Sequence, residues 1–150
     1  MKDKMIVFVC YGNMCRSPMA EGILKSIVGE NDVQVISAGV GAVNGVADPH
    51  AVRAMREREI DISSHRRKQF EPWMGEKASH VFALDSYVYD VLESEFTLSS
   101  NLYTLKGFAR GVDEPLDIFD PYYEGIDAFR ECRDEIAELI DQAIERGLLE

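Results

Sequence analysis

The sequence predicts an α/β fold: one domain over residues 1–150, built as an open parallel sheet of about four strands with helices on both faces. Three observations point there. Met5-Ile6-Val7-Phe8-Val9 is a continuous apolar run without alternation, as in a strand buried on both faces of a parallel sheet. Strand-like and helix-like patterns then alternate along the chain, which calls for parallel strands joined by right-handed crossovers. Finally, 150 residues with 46% hydrophobic and 29% charged side chains suit one compact core, with no room for a linker and a second one.

The first strand runs into Tyr11-Gly12-Asn13-Met14, a stretch of turn residues, and Pro18 sits where a helix should begin. Met19, Ile23, Leu24, Ile27 and Val28 repeat at helical spacing until Gly29. Residues 33–37 read as a second strand, closed by Ala38-Gly39. Asp48-Pro49 has the form of an N-cap followed by proline at the first helical position, with Val52, Met55 and Ile60 inward. Ser64 is placed to cap a short helix through Phe70. His80-Val81-Phe82-Ala83-Leu84 is a third strand, and a helix carrying Tyr87, Val88, Val91 and Leu92 follows. Residues 102–105 form a short fourth strand. Beyond Asp120-Pro121, the apolar positions Ile126, Phe129, Ile136, Leu139, Ile140, Ala143 and Ile144 mark a long amphipathic helix ending near Gly147.

The formal net charge is −11, and residues 113–150 hold 13 acidic and 3 basic side chains, so most of the excess lies in the last quarter. This reads as a solvated helix face. It also argues against nucleic acid or an anionic membrane as partner, since both are polyanions. Cys10, Cys15 and Cys132 are an odd set at unmatched spacings, which suits neither a disulfide framework nor zinc. The apolar run behind Lys2 and Lys4 is too short for a signal-peptide core, and no 18-residue apolar stretch occurs. The expectation is a cytoplasmic protein with no membrane insertion.

In such sheets ligands bind outside the carboxyl ends of the strands, and Cys10 ends the first one. Cys10-Tyr11-Gly12-Asn13-Met14-Cys15-Arg16-Ser17 contains C-x5-R, a weak string that its strand-to-helix setting makes informative. A loop there can turn successive backbone N–H groups inward, and the following helix adds partial positive charge, which together suit phosphate. Gly12 and Asn13 tolerate the positive φ such a curl needs. Arg16 can grip two phosphate oxygens, which lysine cannot. The same donors favour a thiolate at Cys10, and a hydroxyl at Ser17 can bond to it and help it leave. Phosphoryl transfer to sulfur also needs an acid for the leaving oxygen. Asp120, followed by Pro121, Tyr122 and Tyr123, offers one beside a wall for an aromatic substrate.

Residues 7–21 together with Asp120-Pro121-Tyr122-Tyr123 resemble the low-molecular-weight protein tyrosine phosphatases, whose signature is V-C-x-G-N-x-C-R-S-P-x-A-E near the N-terminus and a late D-P-Y-Y. The likeness extends through Ser37-Ala38-Gly39, the segment around His65 and Leu84-Asp85. It implies Cys10 as nucleophile, Arg16 as phosphate clamp and Asp120 as general acid, then base. The phosphate loop would comprise Tyr11, Gly12, Asn13, Met14, Cys15 and Ser17. Asn13, Ser17, Ser37 and His65 would hold that loop in shape, and Tyr122 and Tyr123 would flank the substrate ring. Cys15 matches a second loop cysteine that shields the nucleophile through a reversible disulfide. The resemblance further implies action on phosphorylated protein without metal or other cofactor, and the expected state is a monomer.

Two departures stand out. Tyr11 occupies a position where many members carry leucine or threonine, and the segment 39–47, which supplies the family's other substrate wall, has no aromatic residue. A second reading within the superfamily is a protein-arginine phosphatase. Those enzymes tend to carry threonine at the position of Met14 and D-P-F-G in the late loop, so Met14 and Tyr122 favour phosphotyrosine, while segments 37–45 and 125–138 look as similar to the arginine enzymes. Arsenate reductase shares fold and loop but needs a relay of cysteines in mid-chain, and only Cys15 and Cys132 follow the nucleophile. An idle phosphate-binding module would not need the residues for chemistry. His65 reads as structural, His50 and His80 as surface residues, and Arg66-Arg67-Lys68 as a solvated helix face. Trp73 and Cys132 suggest no role.

Overall fold

The computed structural model describes residues 4–29 and 33–150. Four parallel strands, β1 (Lys4–Cys10), β2 (Val33–Gly39), β3 (His80–Ala83) and β4 (Leu102–Thr104), form one sheet in the order β2-β1-β3-β4. Helices α1 (Arg16–Val28), α2 (Pro49–Arg56), α3 (Pro72–Lys77), α4 (Ser86–Glu95), α5 (Leu105–Arg110) and α6 (Ile126–Glu145) fill the connections. β1 is the central strand, paired with β2 from Lys4↔Val33 to Cys10↔Gly39 and with β3 from Ile6↔His80 to Val9↔Ala83.

The unbroken apolar run of β1 is explained by two cores, one on each face. Ile6, Phe8 and Cys10 point into a cluster with Met19, Leu24, Met55, Phe129, Ile136 and Ile140, beneath α1, α2 and α6. Met5, Val7 and Val9 point the other way, toward Met74 of α3 and Val88 and Leu92 of α4. Phe8 stacks on Phe82 of the neighbouring strand at 5.7 Å. The strand order reverses around β1, because the chain leaves it toward β2 on one side and later returns to β3 on the other. Cys10 therefore sits at a topological switch point, where the crossovers diverge and leave a crevice at the strand ends.

Several expected elements have the form the sequence suggested. Asp48 caps α2 by accepting from the His50 N–H at 2.8 Å, with Pro49 in the first turn. α6 ends at Glu145, with Arg146 as its C-cap and Gly147 following at φ 96.

The helix expected from Ser64 through Phe70 is absent. The segment is extended, bridging Gly39↔Gln69 in parallel and Val46↔Arg66 antiparallel. Its backbone groups are drawn to neighbouring chain rather than to each other: Gly39 N–H donates to Lys68 O, Phe70 N–H to Gly39 O and Arg67 N–H to Gly45 O. Helix forms only afterwards, at α3, where Pro72 occupies the first turn. Arg66-Arg67-Lys68 is thus not a helix face. α5 is a further helix that the apolar spacing does not predict; Thr104 caps it by accepting from Gly107 N–H at 3.0 Å. His80 is not a surface residue but half-buried, stacked on Phe82 and Tyr103 and edge-on to Phe108.

Candidate active site

Cys10 ends β1 and Arg16 opens α1, so the five residues between them must reverse the chain within one tight loop. Asn13 alone in this loop takes positive φ, at 56°, while Gly12 does not. The loop crosses directly over the end of β2: a methyl group on Gly39 would lie 2.5 Å from Tyr11 O and 2.9 Å from Asn13 N. Glycine is required there by close backbone approach.

The sulfur of Cys10 is held by two groups of this loop. Asn13 N–H donates to Sγ at 3.2 Å, and Ser17 Oγ lies 2.9 Å from it. The direction of the second bond follows from its neighbours. Asn13 Oδ1 accepts from the Lys68 N–H at 2.9 Å, so its amide nitrogen faces the other way and donates to Ser17 Oγ at 2.9 Å and Ser37 Oγ at 3.0 Å. Ser37 in turn donates to Glu21, whose carboxylate can only accept when ionised. Ser17 is left with its own proton, 2.9 Å from sulfur and 3.4 Å from Ala38 O. The shorter contact donates to Cys10. His65 Nε2–H completes the frame by donating to Asn13 O at 2.9 Å. Asn13, Ser17 and Ser37 are all fully buried, and no buried side-chain nitrogen or oxygen among the described residues lacks a partner. A satisfied buried network of this kind is rigid.

Arg16 is buried and not a solvated helix residue. Nη1 donates to Ile118 O at 2.8 Å and pairs with Asp85 Oδ2 at 2.9 Å; Nη2 lies 3.5 Å from Asp120 Oδ2. Burial by itself would lower its pKa, but the Cys10 sulfur, Asp85 and Asp120 outweigh this and hold it above the ordinary value. Asp85 falls within the family resemblance, which assigns it no role. It does two jobs from the end of β3, capping α4 through Oδ1 (Val88 N–H, 2.8 Å) and fixing Arg16 through Oδ2. Its position as an N-cap just past a strand was the available signal.

Asp120 is half-exposed, and Oδ1 accepts from Tyr122 N–H at 3.1 Å, which turns the carboxylate over the loop. The cleft between them holds about 480 Å³ and is lined by Cys10, Tyr11, Met14, Arg16, Asp120 and Tyr122, among others. Tyr123 also lines it, 90% exposed, and packs edge-on against Tyr122 at 4.6 Å. The missing aromatic of segment 39–47 leaves Gly41 and Val43 on that side, and Tyr11 leans out toward Tyr87 at 6.2 Å. A larger hollow of about 650 Å³ between α1 and the 59–65 segment holds no thiol.

Cys15 and Cys132 are buried free thiols. Burial, then Asp48 and the neighbouring sulfur of Cys10, push the Cys15 thiol far up. Cys132, whose Sγ lies 3.5 Å from Phe119 O beneath the Asp120 loop, is pushed up by burial to about 12. Among the described residues no three His, Cys, Asp or Glu side chains group as metal ligands.

The family described as low molecular weight phosphotyrosine protein phosphatase matches residues 5–147. The chain belongs to that family. The low molecular weight phosphatases are cysteine-dependent, and in this member Cys10 and Arg16 stand at the two ends of one loop. Among its relatives, a protein-arginine-phosphatase of Bacillus subtilis is 39% identical over 141 residues, covering 91% of this chain and 92% of the relative. A probable low molecular weight protein-tyrosine-phosphatase, EpsP of Ralstonia nicotianae, is 37% identical over 145 residues, 95% of each chain. Relatives named arsenate reductase also match. A solved structure of a YwlE arginine phosphatase mutant with a phosphorylated active-site serine superposes with a TM-score of 0.89 at 35% identity, covering 97% of both chains.

Proposed function

We propose that this low molecular weight phosphatase hydrolyses phosphotyrosine on proteins through a phosphocysteine on Cys10. The carrying observation is that Met14, Tyr122 and Tyr123 all line the cleft that holds Cys10 and Asp120. These are apolar and aromatic partners for a phenyl ring. In the first step the Cys10 thiolate attacks phosphorus, the bond to the phenolic oxygen breaks, and Asp120 as carboxylic acid protonates that oxygen. Arg16 and the loop N–H groups take the charge on the transferred group. In the second step water attacks the phosphocysteine, Asp120 accepts its proton, and Ser17 donates to the departing thiolate. Asn13, Ser37 and His65 act as positioning residues.

The second reading, a protein-arginine phosphatase, draws support from relatives of that name and from the close superposition with YwlE. A phosphoarginine substrate keeps guanidinium N–H groups beside phosphorus, and Met14 offers them only a weak sulfur acceptor. Arsenate reduction is disfavoured because its relay needs further cysteines in mid-chain, and only Cys15 and Cys132 follow Cys10. We place the protein in the cytoplasm as a monomer; no described helix is long and apolar enough to cross a membrane.

Side-by-side hydrolysis of phosphotyrosine and phosphoarginine peptides tests the substrate, and Cys10→Ser tests the nucleophile. The wild type should favour phosphotyrosine in kcat/KM. The serine variant should lose turnover but still bind vanadate, because the loop donors remain. Preference for phosphoarginine overturns the substrate; turnover by the serine variant overturns the mechanism.

A further inference from the structure

The cleft holds a second arginine that the chemistry above leaves unused. Arg67 lines it together with Met14, Val43, Tyr122 and Tyr123. Its position comes from backbone rather than from a carboxylate. Arg67 N–H donates to Gly45 O at 3.0 Å, and Nε donates to Val46 O at 2.8 Å. The guanidinium lies flat against Gly45, where a methyl group would stand 2.7 Å from Cζ. The antiparallel bridge Val46↔Arg66 fixes the register of the two segments.

With Nε tied down, the two terminal nitrogens form the free end of the fork. Arg16, Arg130 and Arg133 each face an aspartate or glutamate. Arg67 has no carboxylate within ion-pair distance among the described residues, in a protein of net charge −11. A tethered, uncompensated guanidinium is already oriented for bidentate contact with a carboxylate or phosphate. It lines the same cleft as Cys10 but is partly exposed, whereas Cys10 is buried.

We propose that Arg67 is an anion subsite that reads an acidic group on the substrate near the phosphorylated residue. Either an Asp or Glu side chain or a second phosphorylated residue supplies that chemistry. The subsite gives an acidic enzyme a local positive point of contact, and it rests on the reading that the substrate is a phosphorylated protein segment. Segment 39–47, which lacks the family's aromatic wall, thereby contributes recognition by presenting Arg67 on Gly45 and Val46.

The test is a matched set of phosphopeptides with Ala, Glu, Lys or a second phosphotyrosine at each position from three before to three after the central residue. Wild type, Arg67→Met, Arg67→Lys and Arg67→Glu are compared by kcat/KM at low and high salt. The wild type should favour an acidic flank over alanine at one or two positions by roughly three- to tenfold, an advantage that shrinks with salt. Arg67→Met should abolish that ratio, Arg67→Lys should keep part of it, and Arg67→Glu should invert it toward lysine. The glutamate and double-phosphotyrosine arms separate the two anion sources. No flank preference in the wild type, or the same ratio in all four proteins, overturns the subsite. An equal fall for every peptide also overturns it, by reducing Arg67 to a brace for the Gly45–Val46 backbone. Failure of the phosphotyrosine reading is seen separately, since the ratio can be measured on phosphoarginine peptides if those are the ones turned over.

Discussion

The backbone N–H of Lys68 donates to Asn13 Oδ1 at 2.9 Å, and this contact between residues 55 positions apart decides where the proton of Ser17 points. It turns the Asn13 amide nitrogen toward Ser17 and Ser37, which leaves the Ser17 hydroxyl to serve the sulfur. The extended course of segment 64–70 is therefore a functional feature. A helix there would have kept the Lys68 N–H for its own ladder.

Ser17→Ala removes that donor while leaving Asn13 N–H in place. A hydrogen bond to a charged group contributes about 1.5–3 kcal/mol, so the second step should slow by about 10- to 100-fold. Rapid-quench or stopped-flow kinetics should then show a burst of phenol followed by slow turnover. Loss of the burst together with the steady state would place the role of Ser17 before phosphocysteine formation.

Asp120→Asn should cost on the order of 10²–10⁴ in kcat. The loss should shrink for aryl phosphates with very acidic phenols, which leave without a proton. The measurement is a leaving-group series; a uniform loss across it would assign Asp120 to orienting Tyr122 and Arg16 instead.

Met14→Thr should move the ratio of phosphotyrosine to phosphoarginine kcat/KM toward phosphoarginine. A buried donor without an acceptor costs about 1–3 kcal/mol, and a hydroxyl relieves that cost, so a shift of about tenfold or more is expected. An unchanged ratio would show that Met14 is not the filter.

Oxidation should proceed from Cys10 to a disulfide with Cys15. Peroxide converts the Cys10 thiolate to a sulfenic acid, and the Cys15 sulfur displaces water from it. Burial pushes the Cys15 thiol up, so Cys15 is not the sulfur that peroxide oxidises first. Mass spectrometry after mild peroxide should find the Cys10–Cys15 crosslink, with activity restored by dithiothreitol. Cys15→Ala that recovers as fully as the wild type would count against it.

Acid should destabilise the fold through His65 and His80. Burial lowers both pKa values below 6.5, despite the Asn13 carbonyl and Glu21 raising that of His65, while Lys4 further lowers that of His80. The unfolded chain then binds more protons than the native one, so stability is full above the unfolded value and declines as pH falls through the folded ones. Melting temperatures from pH 7.5 to 5 should drop, and His80→Phe, which keeps the aromatic stack, should flatten part of the slope.

The chain by itself determined the sheet and the loop that Cys10 opens. A strand buried on two faces must be apolar at every position, so residues 5–9 announce the centre of the sheet locally. Cys10, Arg16 and the turn between them are likewise contiguous, because a phosphate loop is made by one stretch of backbone. Thr104 and Asp85 carry only a weak cap signal in sequence, since a polar residue after a short strand is common. Tertiary structure alone decided the rest. Segment 64–70 became extended because its hydrogen-bond partners, Gly39, Gly45 and Asn13, come from elsewhere in the chain. Asp85 reaches Arg16 because β3 lies beside β1, and Arg67 reaches the cleft because Val46 O holds it there. Local propensity describes what neighbours in sequence prefer, whereas these contacts join residues 21 to 69 positions apart, and only the packed sheet brings their donors and acceptors within reach.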